Sequence, residues 1–238
     1  EGVILVHGGG KEVTKVTEQL GKEPKFVVSP SGIKSRYTDK ETSEIFTMVM
    51  SGRINKAIVQ MLQKNGINAI GLSGMDGKTI EANRKKKLMI MNEKGRKQVI
   101  DGGYTGKISN VNSDLIKTIM DKGYTPVISP IAISEESEFL NVDGDRAAAN
   151  VAGHVNADKV LFITNVDGLL MEDKLVEKLS LKEAKEIMPK IGFGMEKKIL
   201  AATEALEMGV TEALIANGQK ENPISAAIEH NNCTVITK

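Results

Sequence analysis

Three consecutive glycines, in His7-Gly8-Gly9-Gly10, follow an apolar run and precede a stretch of helical spacing from Glu12 to Leu20. Consecutive glycines let the backbone come close to a ligand, and the N–H groups of the helix that follows point at an anion. The pattern suits a phosphate or a carboxylate, and a plain strand-to-helix turn needs fewer glycines. It is not the dinucleotide fingerprint, because Val13 stands where the third spaced glycine belongs. A second stretch, Ser31-Gly32-Ile33-Lys34-Ser35-Arg36-Tyr37-Thr38, puts two cations just ahead of another helical segment. Arginine's paired donors make a carboxylate clamp there. The plainer reading is a solvated basic loop.

Leu140-Asn141-Val142-Asp143-Gly144-Asp145 brings an amide and two carboxylates to the head of a small-residue helix. Asn141 suits a substrate amide or carboxylate. Asp143 and Asp145 suit holding catalytic lysines, placing Mg²⁺ or capping the helix. The segment is not a calcium loop, for the closing Glu is missing. Phe162-Ile163-Thr164-Asn165-Val166-Asp167-Gly168-Leu169-Leu170 lies at the end of an apolar run, where open α/β sheets bind ligands. In Gly192-Phe193-Gly194-Met195-Glu196-Lys197-Lys198, glycines open a helix that carries lysine in its first turns, a dipole and a point charge suited to a phosphoryl group. Two near-matches to the P-loop, ending at Lys78 and Lys107, lack its first glycine.

Apolar, β-branched runs lie at 3–6, 26–28, 69–72, 126–129, 160–163, 213–216 and 234–236, with helically spaced stretches between them. That alternation predicts βαβ units wound into a mainly parallel sheet covered on both faces. Thr38 with Glu41, and Ser180 with Glu183, read as capping boxes. Residues 78–107 break the rhythm with short runs and Gly/Asn turns, and read as inserted antiparallel hairpins. The basic run Arg84-Lys85-Lys86-Lys87 reads as a solvated hairpin or as a surface for an acidic partner, and His154 and His230 as structural.

The 238 residues suffice for one continuous α/β domain, and 40% hydrophobic with 26% charged residues is the balance of a globular protein. No apolar run nears the ~18 residues of a membrane span. A net charge of +1 and eight aromatic residues (Phe 5, Tyr 3, Trp 0) argue against nucleic-acid binding. One cysteine and an opening without a leader-like run predict a cytoplasmic protein.

In this order, the five glycine, basic and acidic motifs resemble the amino-acid kinase superfamily and, within it, the acetylglutamate kinases. The resemblance runs over essentially the whole sequence. It implies a three-layer αβα sandwich, with an amino-acid-substrate lobe over about 1–155 and a nucleotide lobe over about 156–238. The implied reaction passes the γ-phosphoryl of ATP, with Mg²⁺, to a side-chain carboxylate. Gly9 and Gly10 then match the glycines that bind substrate near the phosphoryl group. Arg36 and Asn141 match the grip on the α-carboxylate end, Asp145 the organiser of the catalytic lysines, and Lys198 the lysine that stabilises the moving phosphoryl. Thr164, Asn165, Val166, Gly168 and Leu169, with Gly194 and Met195, match the nucleotide site. Asn165 departs from an aspartate common in that loop. No dedicated metal ligands are implied.

The segments Ser35-Arg36-Tyr37-Thr38 and Gly103-Tyr104-Thr105-Gly106-Lys107 look like those of the archaeal and thermophilic enzymes of lysine biosynthesis. Those act on 2-aminoadipate, and in some cases glutamate, attached to a small acidic carrier protein. Lys34 and the run 84–87 would suit such a partner. The alternatives are a free N-acetylglutamate kinase of arginine biosynthesis and a non-catalytic nucleotide- or carrier-binding module. The resemblance also implies a homodimer. Finally, it implies a first strand and helix, carrying another lysine and a glycine pair, ahead of Glu1.

Overall fold

A computed structural model describes residues 2–192 and 194–238. Phe193, part of the fifth motif, lies outside the described residues. The chain divides into two compact units, 1–147 and 148–238.

In the first unit, β1 (Leu5–Val6) leads through the glycine turn into α1 (Gly10–Gln19). A hairpin follows, β2 (Phe26–Val28) antiparallel to β3 (Lys34–Arg36). The run at 26–28 is therefore not a member of the main sheet. Three residues with two exposed side chains bury too little to sit between helices, and they pair locally instead. Next come α2 (Lys40–Thr47), a π-helical segment (Met48–Ile54) and α3 (Asn55–Lys64), without a break.

The cap on α2 is Asp39, not Thr38. The Asp39 carboxylate accepts the Thr42 N–H at 2.8 Å, whereas the Thr38 hydroxyl is buried and taken by Asn141. Glu41, the other half of the expected box, pairs with Lys22.

β4 (Ala69–Ser73), β5 (Ile80–Arg84), β6 (Lys87–Met91), β7 (Lys97–Asp101), β8 (Gly106–Val111), α4 (Ser113–Asp121), β9 (Thr125–Ser129), β10 (Ile131–Ile133) and β11 (Phe139–Asn141) complete the unit. Strands β1, β9 and β4 form a parallel sheet in that order, with Val127 and Ile128 fully buried in its centre. The expected insertion is present: β5 pairs antiparallel with β8, and β6 with β7. Val13, Ile45, Phe46, Val49, Met50 and Ile131 form one core that seats α1 and α2.

Helix α5 (Gly144–Val155) starts in the first unit and runs into the second. There β12 (Lys159–Thr164) is followed by a small hairpin of β13 (Leu170–Met171) and β14 (Lys174–Leu175). Then come β15 (Lys178–Ser180), α6 (Leu181–Ile187), α7 (Met195–Glu207), β16 (Glu212–Asn217), α8 (Pro223–Ile228) and β17 (Cys233–Thr237). The sheet order is β12-β16-β17-β15, parallel except between β16 and β17. The predicted box at Ser180 and Glu183 opens α6, with both reciprocal hydrogen bonds. Alanine and isoleucine dominate the core, as in Ala201, Ala202, Ala205, Ile199 and Ile215, which lets α7 lie close on the sheet. Among the described residues no helix is long and apolar enough to cross a membrane.

Candidate functional site

The first unit gathers its candidate residues around the glycine turn. Gly9 is the N-cap of α1, and a Cβ there would come within 2.1 Å of Ile54 Cδ1 and 3.0 Å of Met50 Sδ. Gly10 has open space where a side chain would stand. The start of α5 approaches the same turn, since a Cβ on Gly144 would lie 3.6 Å from the His7 carbonyl oxygen and 3.8 Å from Gly8 Cα. Asp145 is the next residue. Asp143 is the cap of that helix, its carboxylate accepting the N–H groups of Asp145 and Arg146 at 3.1 and 3.2 Å.

Arg36 is locked against α1. One terminal nitrogen, Nη2, donates to the Gly10 carbonyl at 2.9 Å and to the Thr14 hydroxyl at 2.7 Å, and the guanidinium lies 4.9 Å from the centre of the Phe26 ring. Its other terminal nitrogen, Nη1, is buried and has no hydrogen-bond partner. Burial pulls the pKa of Arg36 below its ordinary value, though guanidinium stays charged. A buried cationic donor with an open valence fits an anionic oxygen of a ligand.

Asn141 ends β11 and donates to the Thr38 hydroxyl at 2.9 Å, and that hydroxyl lies 3.4 Å from the Arg36 carbonyl oxygen. The Thr38 carbonyl accepts the Tyr104 N–H at 2.6 Å, and the Tyr104 carbonyl accepts the Asn141 N–H at 2.9 Å. Gly103 is required here: its φ is +57°, and a Cβ would come within 2.3 Å of the Thr38 carbonyl oxygen. The neighbouring Thr105 hydroxyl is a second buried polar atom without a partner. Thus Gly9, Gly10, Arg36, Asn141 and the helix carrying Asp145 are brought together.

The expected solvated hairpin at 84–87 needs correction at Arg84. Its guanidinium pairs with Glu138 at 2.8 Å, donates to the Gly103 carbonyl at 2.7 Å and stacks 4.1 Å from the Tyr104 ring centre. It holds the 103–105 loop. Lys86 and Lys87 are exposed.

In the second unit, Thr164 closes β12 opposite Asn217 of β16, and its carbonyl accepts the Gly218 N–H at 2.8 Å. The loop that follows is exposed at Asn165 and half-buried at Val166. Gly168 is buried so tightly that a Cβ would meet Thr234 Oγ1 at 2.5 Å. Leu169 is a core residue whose N–H goes to the Thr234 hydroxyl at 2.8 Å, so it anchors this loop. Asn217 donates to Asp167 at 2.8 Å, and this bond, followed by Lys220, holds the Asp167 carboxyl below its usual pKa. Gly194, with φ +95°, caps α7; Met195 packs on the core, and Lys198 is half-buried in the helix's first turns. Among the described residues no three His, Cys, Asp or Glu side chains cluster to hold a metal.

Across the two units, three residues make contacts that the sequence did not assign to them. Thr38 is hidden as a supposed cap, and Asn217 as the end of an apolar strand. Asn55 sits fully buried mid-helix, and only its polarity on an apolar face could have marked it.

The amino acid kinase family matches residues 1–217. A protein of Nitrosopumilus maritimus, named "Putative [LysW]-aminoadipate/[LysW]-glutamate kinase", is 84% identical over 99% of this chain and 88% of its own length. A "[LysW]-aminoadipate/[LysW]-glutamate kinase" of Metallosphaera sedula is 50% identical over 95% of this chain and 86% of its own. Among solved structures, N-acetylglutamate synthase from Neisseria gonorrhoeae, complexed with coenzyme A and N-acetyl-glutamate, superposes with a TM-score of 0.80. It is 22% identical and covers 100% of this chain and 52% of that one, a likeness of fold.

Proposed function

This chain belongs to the amino acid kinase family, and from that membership we propose that it phosphorylates the side-chain carboxylate of 2-aminoadipate or glutamate borne on a carrier protein. It is an ATP-dependent kinase with a carboxylate acceptor. A carboxylate oxygen attacks the γ-phosphorus in line, the bond to ADP breaks, and an acyl phosphate forms.

The observation that carries the acceptor side is Arg36: pinned by Gly10 and Thr14, it keeps Nη1 buried and open for a carboxylate. In our reading residues 1–155 serve the amino-acid substrate, through Gly9, Gly10, Arg36 and Asn141. Residues 156–238 serve the nucleotide, through the 164–169 loop and the Gly194 turn. Lys198 meets charge developing on the phosphoryl, and Asp145 orients the charged groups around it. Mg²⁺ would come with the nucleotide and would neutralise charge on its phosphates. The names of the relatives favour the carrier-linked substrate over free N-acetylglutamate, and over a module without turnover. A homodimer is part of this proposal, and exposed Leu20, Met48 and Met61 supply apolar surface for it.

The test incubates the purified enzyme with ATP, Mg²⁺ and the aminoadipate- or glutamate-charged carrier, and traps acyl phosphate with hydroxylamine. Hydroxamate on the carrier is expected. Hydroxamate on free N-acetylglutamate alone would overturn the substrate, and none on either would support the non-catalytic module.

A further inference from the structure

The first residue of α3 is an asparagine with no exposed surface. Its amide nitrogen donates to the Val127 carbonyl at 2.9 Å, lies 3.5 Å from the Leu72 carbonyl, and stands 3.2 Å from His7 Nε2. Its oxygen accepts from Lys56 at 3.1 Å. A carbonyl only accepts, so Val127 fixes which end of the Asn55 amide carries hydrogen. His7 Nε2 must then present its lone pair, and the ring proton belongs on Nδ1. From there it meets the Gly8 carbonyl at 3.0 Å. Burial holds the imidazole below its ordinary pKa, with the Gly8 bond opposing, which keeps it neutral.

The Gly8 carbonyl shares a rigid peptide plane with the Gly9 N–H, and the two point in opposite directions. Fixing the oxygen therefore aims the hydrogen. The Gly9 carbonyl is also committed, to the Val13 N–H at 3.1 Å. Ile54 and Met50 lie against the side of Gly9 where a Cβ would stand.

We infer that Asn55 and His7 are positioning residues that aim the Gly9 N–H at the transferring phosphoryl group. The inference rests on the proposed role of Gly9, and Asn55 acts only through the imidazole. Neither residue touches substrate. A donor set in advance of the reaction stabilises developing charge without reorganising, and a displacement of about 1 Å costs about 100-fold.

The experiment compares wild type, Asn55→Leu, His7→Asn and His7→Gln. Asparagine can place an N–H near the Nδ1 position, while glutamine reaches the Nε2 position. Long-range ¹H–¹⁵N spectra of the imidazole should show the neutral Nδ1–H form in wild type and its loss in Asn55→Leu. His7→Asn should keep most of kcat. His7→Gln and Asn55→Leu should lose about 10- to 100-fold in kcat with KM for both substrates little changed. The Gly9 amide signal should shift when a non-hydrolysable ATP analogue is added to wild type.

A wild-type Nε2–H tautomer, an unmoved Gly9 amide, or equal kcat in the two His7 variants would overturn the inference. A merely structural role predicts that kcat follows melting temperature across the set. Should Asn55→Leu fail to fold, the His7 pair decides alone. Should wild type leave the charged carrier unphosphorylated, the proposed function falls, and the tautomer and the Gly9 shift still decide this point.

Discussion

The side-chain amide of Asn141 donates to the Thr38 hydroxyl across 2.9 Å, joining positions 103 residues apart. Thr38→Val keeps the shape and removes the acceptor. The amide then loses its anchor, and KM for the amino-acid substrate should rise about fivefold, the equivalent of about 1 kcal/mol. KM for ATP should stay unchanged. Steady-state kinetics with each substrate varied in turn check this, and a rise in the ATP value instead would contradict it.

Arg36→Lys should raise KM for the carboxylate substrate and leave ATP binding nearly unaltered. Lysine cannot hold Gly10 and Thr14 with one nitrogen while offering another to a ligand. Isothermal titration with each ligand separates the two, and lost ATP affinity would refute the assignment.

Lys198→Ala and Asp145→Ala should each lower kcat on the order of 10²–10³ and change KM far less. Single-turnover phosphoryl transfer reads the chemical step directly. Near-normal rates with weakened nucleotide binding would remove both residues from that step.

Carrier capture by surface charge should weaken steeply with salt, because such charges act over ~8 Å at physiological ionic strength. Lys34, Lys86 and Lys87 are exposed and suited to it. Lys86→Gln with Lys87→Gln should flatten the salt dependence of KM for the charged carrier and spare kcat. Arg84→Ala should behave differently. It releases Glu138 and the Gly103 carbonyl, and so disturbs the substrate loop at every salt concentration.

Stability should fall with acid through His7. Its folded pKa lies below the unfolded 6.5, so the unfolded chain binds the proton first. The contribution is fully present above pH 6.5 and is lost progressively as pH falls towards the folded value. His7→Asn has no such proton, so the unfolding free energies of the two proteins should converge below pH 6.5. Parallel curves from pH 8 to 5 would show that His7 is not buried as described.

The main sheet was legible because periodicity reports burial: runs such as Pro126-Val127-Ile128-Ser129 are covered on both faces, and each of those residues is buried. The glycine turn was legible because only a close approach demands glycines, and Gly9 has no space for a Cβ. What stayed hidden depends on contacts distant in sequence. Thr38 and Asp39 are equally good caps on local grounds, and Asn141 decides between them by occupying one hydroxyl. Arg84 looked like three solvated lysines' neighbour until Glu138 and Tyr104 folded against it.

The π-helical segment Met48–Ile54 stores its information in the count of residues. Its i→i+5 hydrogen bonds put more residues into each turn than the flanking α-helices hold. Deleting one position between Thr47 and Asn55 would leave composition and apolar pattern nearly intact, yet would exchange the wide turns for α-helical ones and change how the segment hands the chain on to Asn55. That stretch should therefore accept exchanges of one apolar side chain for another far more readily than it accepts a change of length. Divergence along it should be written in substitutions, with insertions and deletions displaced to the hairpins.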